Sequence, residues 1–225
     1  MCGASAVSAP LPGEYITEEG WGHLTISGSG DGAAFSIEAI GANGHACMLD
    51  GKIVGGESKL PADDQSEACV VYFSVDSQGI EVNSNGVESC RQFCGQRARF
   101  EGMYFKPAEG CGDTARRSTR NKFKHLYDTK SYASALATLA PLLKDCSRTL
   151  DWIEFGRISN DAAITQYKLA LFDDCLRTLE PYATDAARTD EQILSDYPPA
   201  DGENYIAVVK AARTNLRLCR RRRAG

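Results

Sequence analysis

The chain has 225 residues, 43% of them apolar and 24% charged, with a formal net charge of −5. That composition excludes a disordered polymer, and the length suits one large domain or two small ones. The mild acidity argues against nucleic acid as the main partner, because phosphate binding needs clustered Lys and Arg, and the one basic run, Arg220 to Arg223, reads as a solvated helix end.

In chain order, residues 1–12 read as a flexible tether or a signal-peptide remnant. Cys2 precedes the small, polar stretch from Gly3 to Pro10, with no basic or apolar leader before it. Two readings stay open for Cys2: a lipoprotein acylation site with residues 3–12 as its tether, or the residual end of a cleaved signal peptide. No apolar run is long enough for a membrane-spanning helix.

Residues 13–111 read as short strands. Gly22 to Ser27 and Ala34 to Ile40 alternate apolar and polar residues, a period of two that buries one face. Ala46 to Val54, Ala68 to Val75, Gly79 to Asn83 and Arg97 to Phe105 follow. Gly and Asn punctuate them, as turn residues that tolerate positive φ. Strands at this spacing predict a small antiparallel barrel or sandwich.

Residues 112–225 read as helices, so the expected class is α+β: a β-barrel or sandwich, then a helical-hairpin repeat. Arg116 to Tyr127 forms one helix. Ser131 to Lys144 forms a second, with Tyr132, Ala135, Leu136, Leu139, Leu142 and Leu143 on one face and Ser131 as N-cap. Asp161 to Leu171 repeats the pattern, with Asn160 or Asp161 as its cap. Cys175, Leu176, Leu179 and Tyr182 continue it, and Asn204 to Arg220 makes a final helix. The segment from Tyr132 to Leu142 matches Phe172 to Tyr182 at an offset of 40, which Tyr127 and Tyr167 also keep. A helix pair repeated at such a spacing marks an α-solenoid.

Nine cysteines are spread along the chain: Cys2, Cys47, Cys69, Cys90, Cys94, Cys111, Cys146, Cys175 and Cys219. A structural zinc site wants paired CxxC or CxxH ligands, and no CxxC occurs, so no metal is expected. Disulfides are the expected use, in a compartment outside the reducing cytosol. Cys47, Cys69, Cys90 and Cys94 are expected to pair among themselves. Cys146, Cys175 and Cys219 are expected to serve the helical part, and Cys111 to tie the two parts together.

No catalytic constellation emerges, and neither an enzymatic activity nor a cofactor is expected. There are three histidines, His23, His45 and His125, and no GxSxG, HExxH or phosphate loop. The glycines from Gly28 to Gly32 lie between two strands and read as a hairpin loop. A nucleophilic Cys47 beside His45 or His23 gives way to the disulfide reading.

The pattern aromatic-x-x-Ala/Cys-Leu-x-x-Leu-x-Pro within residues 116–183 resembles the second helix of a tetratricopeptide repeat and its turn. That resemblance implies a concave face formed by the first helices, and a partner-binding role for Arg157, Asn160 and Asp161. In residues 13–107, the runs from Asn43 to Cys47, Ala68 to Ser74 and Cys90 to Tyr104 resemble small periplasmic β-barrel domains of lysozyme-inhibitor-like proteins, of the MliC and LprI kind. It implies a bacterial periplasmic module that docks a secreted or periplasmic enzyme, as its inhibitor or as an immunity protein. The alternative is a repeat scaffold for envelope assembly. Candidate docking residues in the first part are Asp31, Asn43 and His45, in loops between strands.

Overall fold

The computed structural model describes residues 9–61 and 67–223, without the side chains of Asp31, Arg222 and Arg223. Cys2 lies outside the described residues. The chain divides into two compact units, Met1–Pro107 and Ala108–Gly225.

The first unit is an eight-stranded antiparallel sheet: β1 (Gly13–Thr17), β2 (Gly22–Ser27), β3 (Ala34–Ile40), β4 (Ala46–Lys52), β5 (Glu57–Leu60), β6 (Cys69–Val75), β7 (Gly79–Ser84) and β8 (Gly102–Phe105). The hydrogen-bonded order is β4-β3-β2-β1-β8-β7-β6-β5, so neighbours in sequence are neighbours in space and β8 returns to pair with β1. This is an up-and-down barrel, nearly closed, with β4 and β5 at its seam. Alternation fills the inside. Phe35, Ile37 and Ala39 of β3 and Cys69, Val71 and Phe73 of β6 are buried, while Ser36, Glu38, Tyr72 and Ser74 face out. Leu24, Ile80, Phe100 and Tyr104 complete a core with almost no exposure, each apolar side chain contributing about 1.5–3 kcal/mol.

Two strands escape a period-two reading. β1 buries Tyr15, Ile16 and Thr17 in succession, and β5 has four residues whose inward pair is Ser58 and Leu60. The last strand starts at Gly102 rather than Arg97, because residues 95–98 turn, the Ala98 N–H donating to Gly95 O at 3.0 Å. Before that turn runs a short 3-10 helix, Glu88–Phe93, and Cys94 then bridges to Cys47 on the free edge of β4. The Gly95 N–H donates to the Ala46 carbonyl at 2.8 Å. On the other side of the seam, Gln92 donates to the Pro61 carbonyl at 3.1 Å. Disulfides Cys47–Cys94 and Cys69–Cys90 fix this segment to β4 and β6. It therefore bolts the seam that the sheet leaves unpaired.

The second unit contains α1 (Asp113–Asp128), α2 (Tyr132–Asp145), α3 (Trp152–Lys168), α4 (Phe172–Thr178), α5 (Ala183–Ala186), α6 (Asp190–Asp196) and α7 (Pro199–Arg223). The 40-residue repeat is structural. α1–α2 and α3–α4 are successive hairpins, and equivalent positions are buried: Ala135 and Cys175, Leu139 and Leu179, Leu142 and Tyr182. Both turns use one device. Lys130 and Ala170 take the left-handed conformation, φ 62° and 60°. Ser131 N–H then returns to Leu126 O at 2.8 Å, and Leu171 N–H to Gln166 O at 2.9 Å, the Schellman closure of a helix end. Aromatic pairs cross both turns, Tyr127 with Tyr132 and Tyr167 with Phe172. Ser131 occupies the N-cap position of α2 without a side-chain capping bond.

The third helix corrects the sequence reading. It begins at Trp152, not Asp161, and its cap is Asp151, whose Oδ1 accepts from the Ile153 and Glu154 N–H groups at 2.9 Å. Its buried positions include Gly156, Ser159, Asn160 and Thr165, so its inner surface carries little apolar period. Gly156 permits close approach: a Cβ there would stand 2.5 Å from Val208 Cγ1 on α7. Cys111 is also corrected. It pairs with Cys146, within the helical unit, and Cys175 pairs with Cys219. None of the described helices is long and apolar enough to cross a membrane. The four disulfides fit an exported protein.

Candidate functional site

α2 runs back between α1 and α3, so these two first helices of the hairpins lie parallel. Two ion pairs tie them. Arg116, 6% exposed, donates from Nη1 to Glu154 Oε2 at 2.9 Å and also pairs with Asp113. Further along both helices, Arg120 Nη2 reaches Asp161 Oδ2 at 2.9 Å. Beside this second pair opens a cleft of about 400 Å³. α1 lines it with Arg120, Asn121, Phe123, Lys124 and Tyr127, and α3 with Asp161 and Ile164. Phe123 is buried, while Asn121 and Lys124 are exposed.

The electrostatics follow from this packing. Burial pushes the Asp161 carboxyl above the ordinary carboxylate range, and Arg120 pulls it part of the way back. Burial raises the Tyr127 phenol as well, helped by neighbouring Tyr132, Asp161 and Asp128. The cleft thus joins an apolar floor to fixed positive charge on its rim. It can hold a polar segment that carries some apolar side chains.

Of the residues singled out in the sequence, Asp161 lines the cleft and Arg157 lies one helical turn before it, exposed on the same stripe. Asn160 is turned inward. Its Nδ2 donates to Gly156 O at 3.0 Å and Val208 O at 3.1 Å, and Asn215 Nδ2 donates to its backbone and side-chain oxygens. It joins α3 to α7 and presents nothing to a partner.

Asn43 and His45 lie at the turn from β3 to β4, and Asp31 at the turn from β2 to β3. The up-and-down order puts these turns at opposite ends of the barrel, so they do not form one site. The Asn43 turn is held on two sides: a Cβ at Gly41 would stand 2.0 Å from the Arg97 carbonyl, and one at Gly95 2.6 Å from His45 Nδ1. The Asp31 side chain lies outside what the structure describes.

Arg117, Arg120, Asn121, Lys124 and Ile164 were not singled out from the sequence. The signal was present in the repeat. Subtracting 40 from Arg157, Asp161 and Ile164 gives Arg117, Asn121 and Lys124, the matching stripe on α1.

No family model matches the chain, and neither a curated protein nor a solved structure matches it.

Proposed function

We propose that this is an exported protein-binding module whose helical unit holds a segment of a partner protein across α1 and α3. The observation that carries the reading is the pair of matching stripes, Arg117–Asn121–Lys124 and Arg157–Asp161–Ile164, beside a cleft. Arg117, Lys124 and Arg157 are exposed and have no ion-pair partner among the described residues, so the fold does not require their charges. The hairpin repeat and its aromatic turns support a tetratricopeptide-like assignment and, with it, an adaptor or scaffold in the bacterial envelope.

A photo-crosslinking residue in place of Ile164 tests the reading, with one at exposed Ala137 on α2 as the control. In cells that export the protein, position 164 is expected to give a discrete adduct that position 137 does not. Equal adducts from both positions, or none from 164, would contradict it.

A second reading, an inhibitor or immunity protein of the lysozyme-inhibitor-like kind, is favoured by the barrel. Residues 1–107 carry fourteen Asp and Glu against six Lys and Arg, which suits a basic enzyme as partner. The turn at Asn43, fixed on both sides, suits occlusion of a cleft. Inhibition of a basic cell-wall hydrolase that is lost on deleting Asn43 and Gly44 would select this reading. Periplasmic residence and acylation of Cys2 go with either one, and the intact mass of the exported protein tests the acylation.

A further inference from the structure

We infer that the segment held across α1 and α3 is acidic, with carboxylates that engage Arg117 and Arg157. The inference rests on the docking reading of that face and adds the chemistry of the occupant.

The charge of the chain is divided between its units. Residues 108–225 carry nineteen Lys and Arg against sixteen Asp and Glu, the reverse of the acidic barrel. Two helices carry the excess: α7 has seven Lys and Arg against two acids, and α1, which faces the cleft, five against two. On the α1/α3 face, the two acids of α3 are already engaged, Glu154 by Arg116 and Asp161 by Arg120. Arg117, Lys124 and Arg157 remain uncompensated. A basic segment here would add to their mutual repulsion, and a neutral one would leave it unrelieved. Carboxylates would neutralise it, and the planar guanidinium groups suit bidentate carboxylate binding.

Arg117 and Arg157 occupy equivalent positions of the repeat, on α1 and α3. About two turns further along the same helices Phe123 and Ile164 line the cleft, which favours apolar side chains beside the acidic ones.

The test is fluorescence anisotropy with the full chain and three labelled decapeptides, which alternate Leu with Glu, Gln or Lys. At low salt the Glu peptide is expected to bind about tenfold more tightly than the Gln peptide, with the gap closing at high salt. Arg117→Glu with Arg157→Glu is expected to weaken the Glu peptide about tenfold. Arg117→Lys with Arg157→Lys is expected to retain part of that binding, and Lys144→Glu, on the exposed side of α2, all of it. Circular dichroism checks that each variant folds.

Equal binding of the Gln peptide, or no effect of the charge reversals, would overturn the inference. So would tighter binding of a labelled oligothymidylate than of the Glu peptide. If the Gln peptide binds and protects a crosslinker at position 164, the docking reading stands and only the acidic chemistry falls. If no peptide binds and position 164 yields no adduct, both fall.

Discussion

Lys130 and Ala170 occupy backbone positions that glycine takes without a steric penalty, and neither is glycine. A side chain in the left-handed region costs about 1–2 kcal/mol. Both residues lie beyond the helix, where glycine carries little propensity penalty. Lys130→Gly and Ala170→Gly are each expected to raise stability by about 0.5–1.5 kcal/mol, measured by urea denaturation. A loss of stability in both would mean that the turns are held differently. The missing glycine after α3 also explains why the sequence reading carries that helix on to Leu171 when it ends at Lys168, since a glycine just past the last turn is the usual stop signal.

Asp161 makes the stability of the helical unit depend on pH. Its carboxyl is raised in the folded chain, so the folded state favours the protonated form more than the unfolded state does. The Asp161 share of stability is therefore largest below the unfolded pKa. It falls as pH rises through the carboxylate range to the folded pKa, then stays level. Asp161→Asn is expected to remove that fall from the stability profile. NMR titration of the wild-type carboxyl checks the direction, and a carboxyl titrating below the ordinary range would contradict it.

At the level of elements, the barrel depends on a segment outside its strands. The sheet leaves β4 and β5 unpaired, and the residues from Glu88 to Gly95 lie across the opening with a cystine to each side. The closed loops span 47 and 21 residues. Chain-entropy arguments put the contribution of each bond at about 3–4 kcal/mol. Replacing either cystine by a pair of alanines is expected to lower stability by that amount and to speed amide exchange in β4 and β5 before β2 and β3. Uniform exchange across the sheet would mean that the segment does not secure the seam. The strands with clean alternation, β2, β3 and β6, were legible in the sequence, as was α2 with its apolar face. β1 was not, because three successive residues are buried, nor was the start of α3. That helix packs against both α2 and α7 through small and polar residues, so no single apolar stripe marks it.

For the whole molecule, the 40-residue offset was the most informative feature of the sequence. It predicted the hairpin repeat, and the same offset relates Arg157, Asp161 and Ile164 on α3 to Arg117, Asn121 and Lys124 on α1. The cleft itself was beyond reach, because it depends on which faces of α1 and α3 are left uncovered by α2. The division of charge, acidic in the barrel and basic in the helical unit, is a property of composition and holds on either side of the boundary between Pro107 and Ala108. Amide NMR spectra of the full chain, recorded while the acidic peptide is added, test the docking account most directly. Shifts are expected at Arg117, Asn121, Lys124, Arg157, Asp161 and Ile164. Shifts centred on the turns at Asn43 or Asp31, or spread evenly over both units, would contradict it.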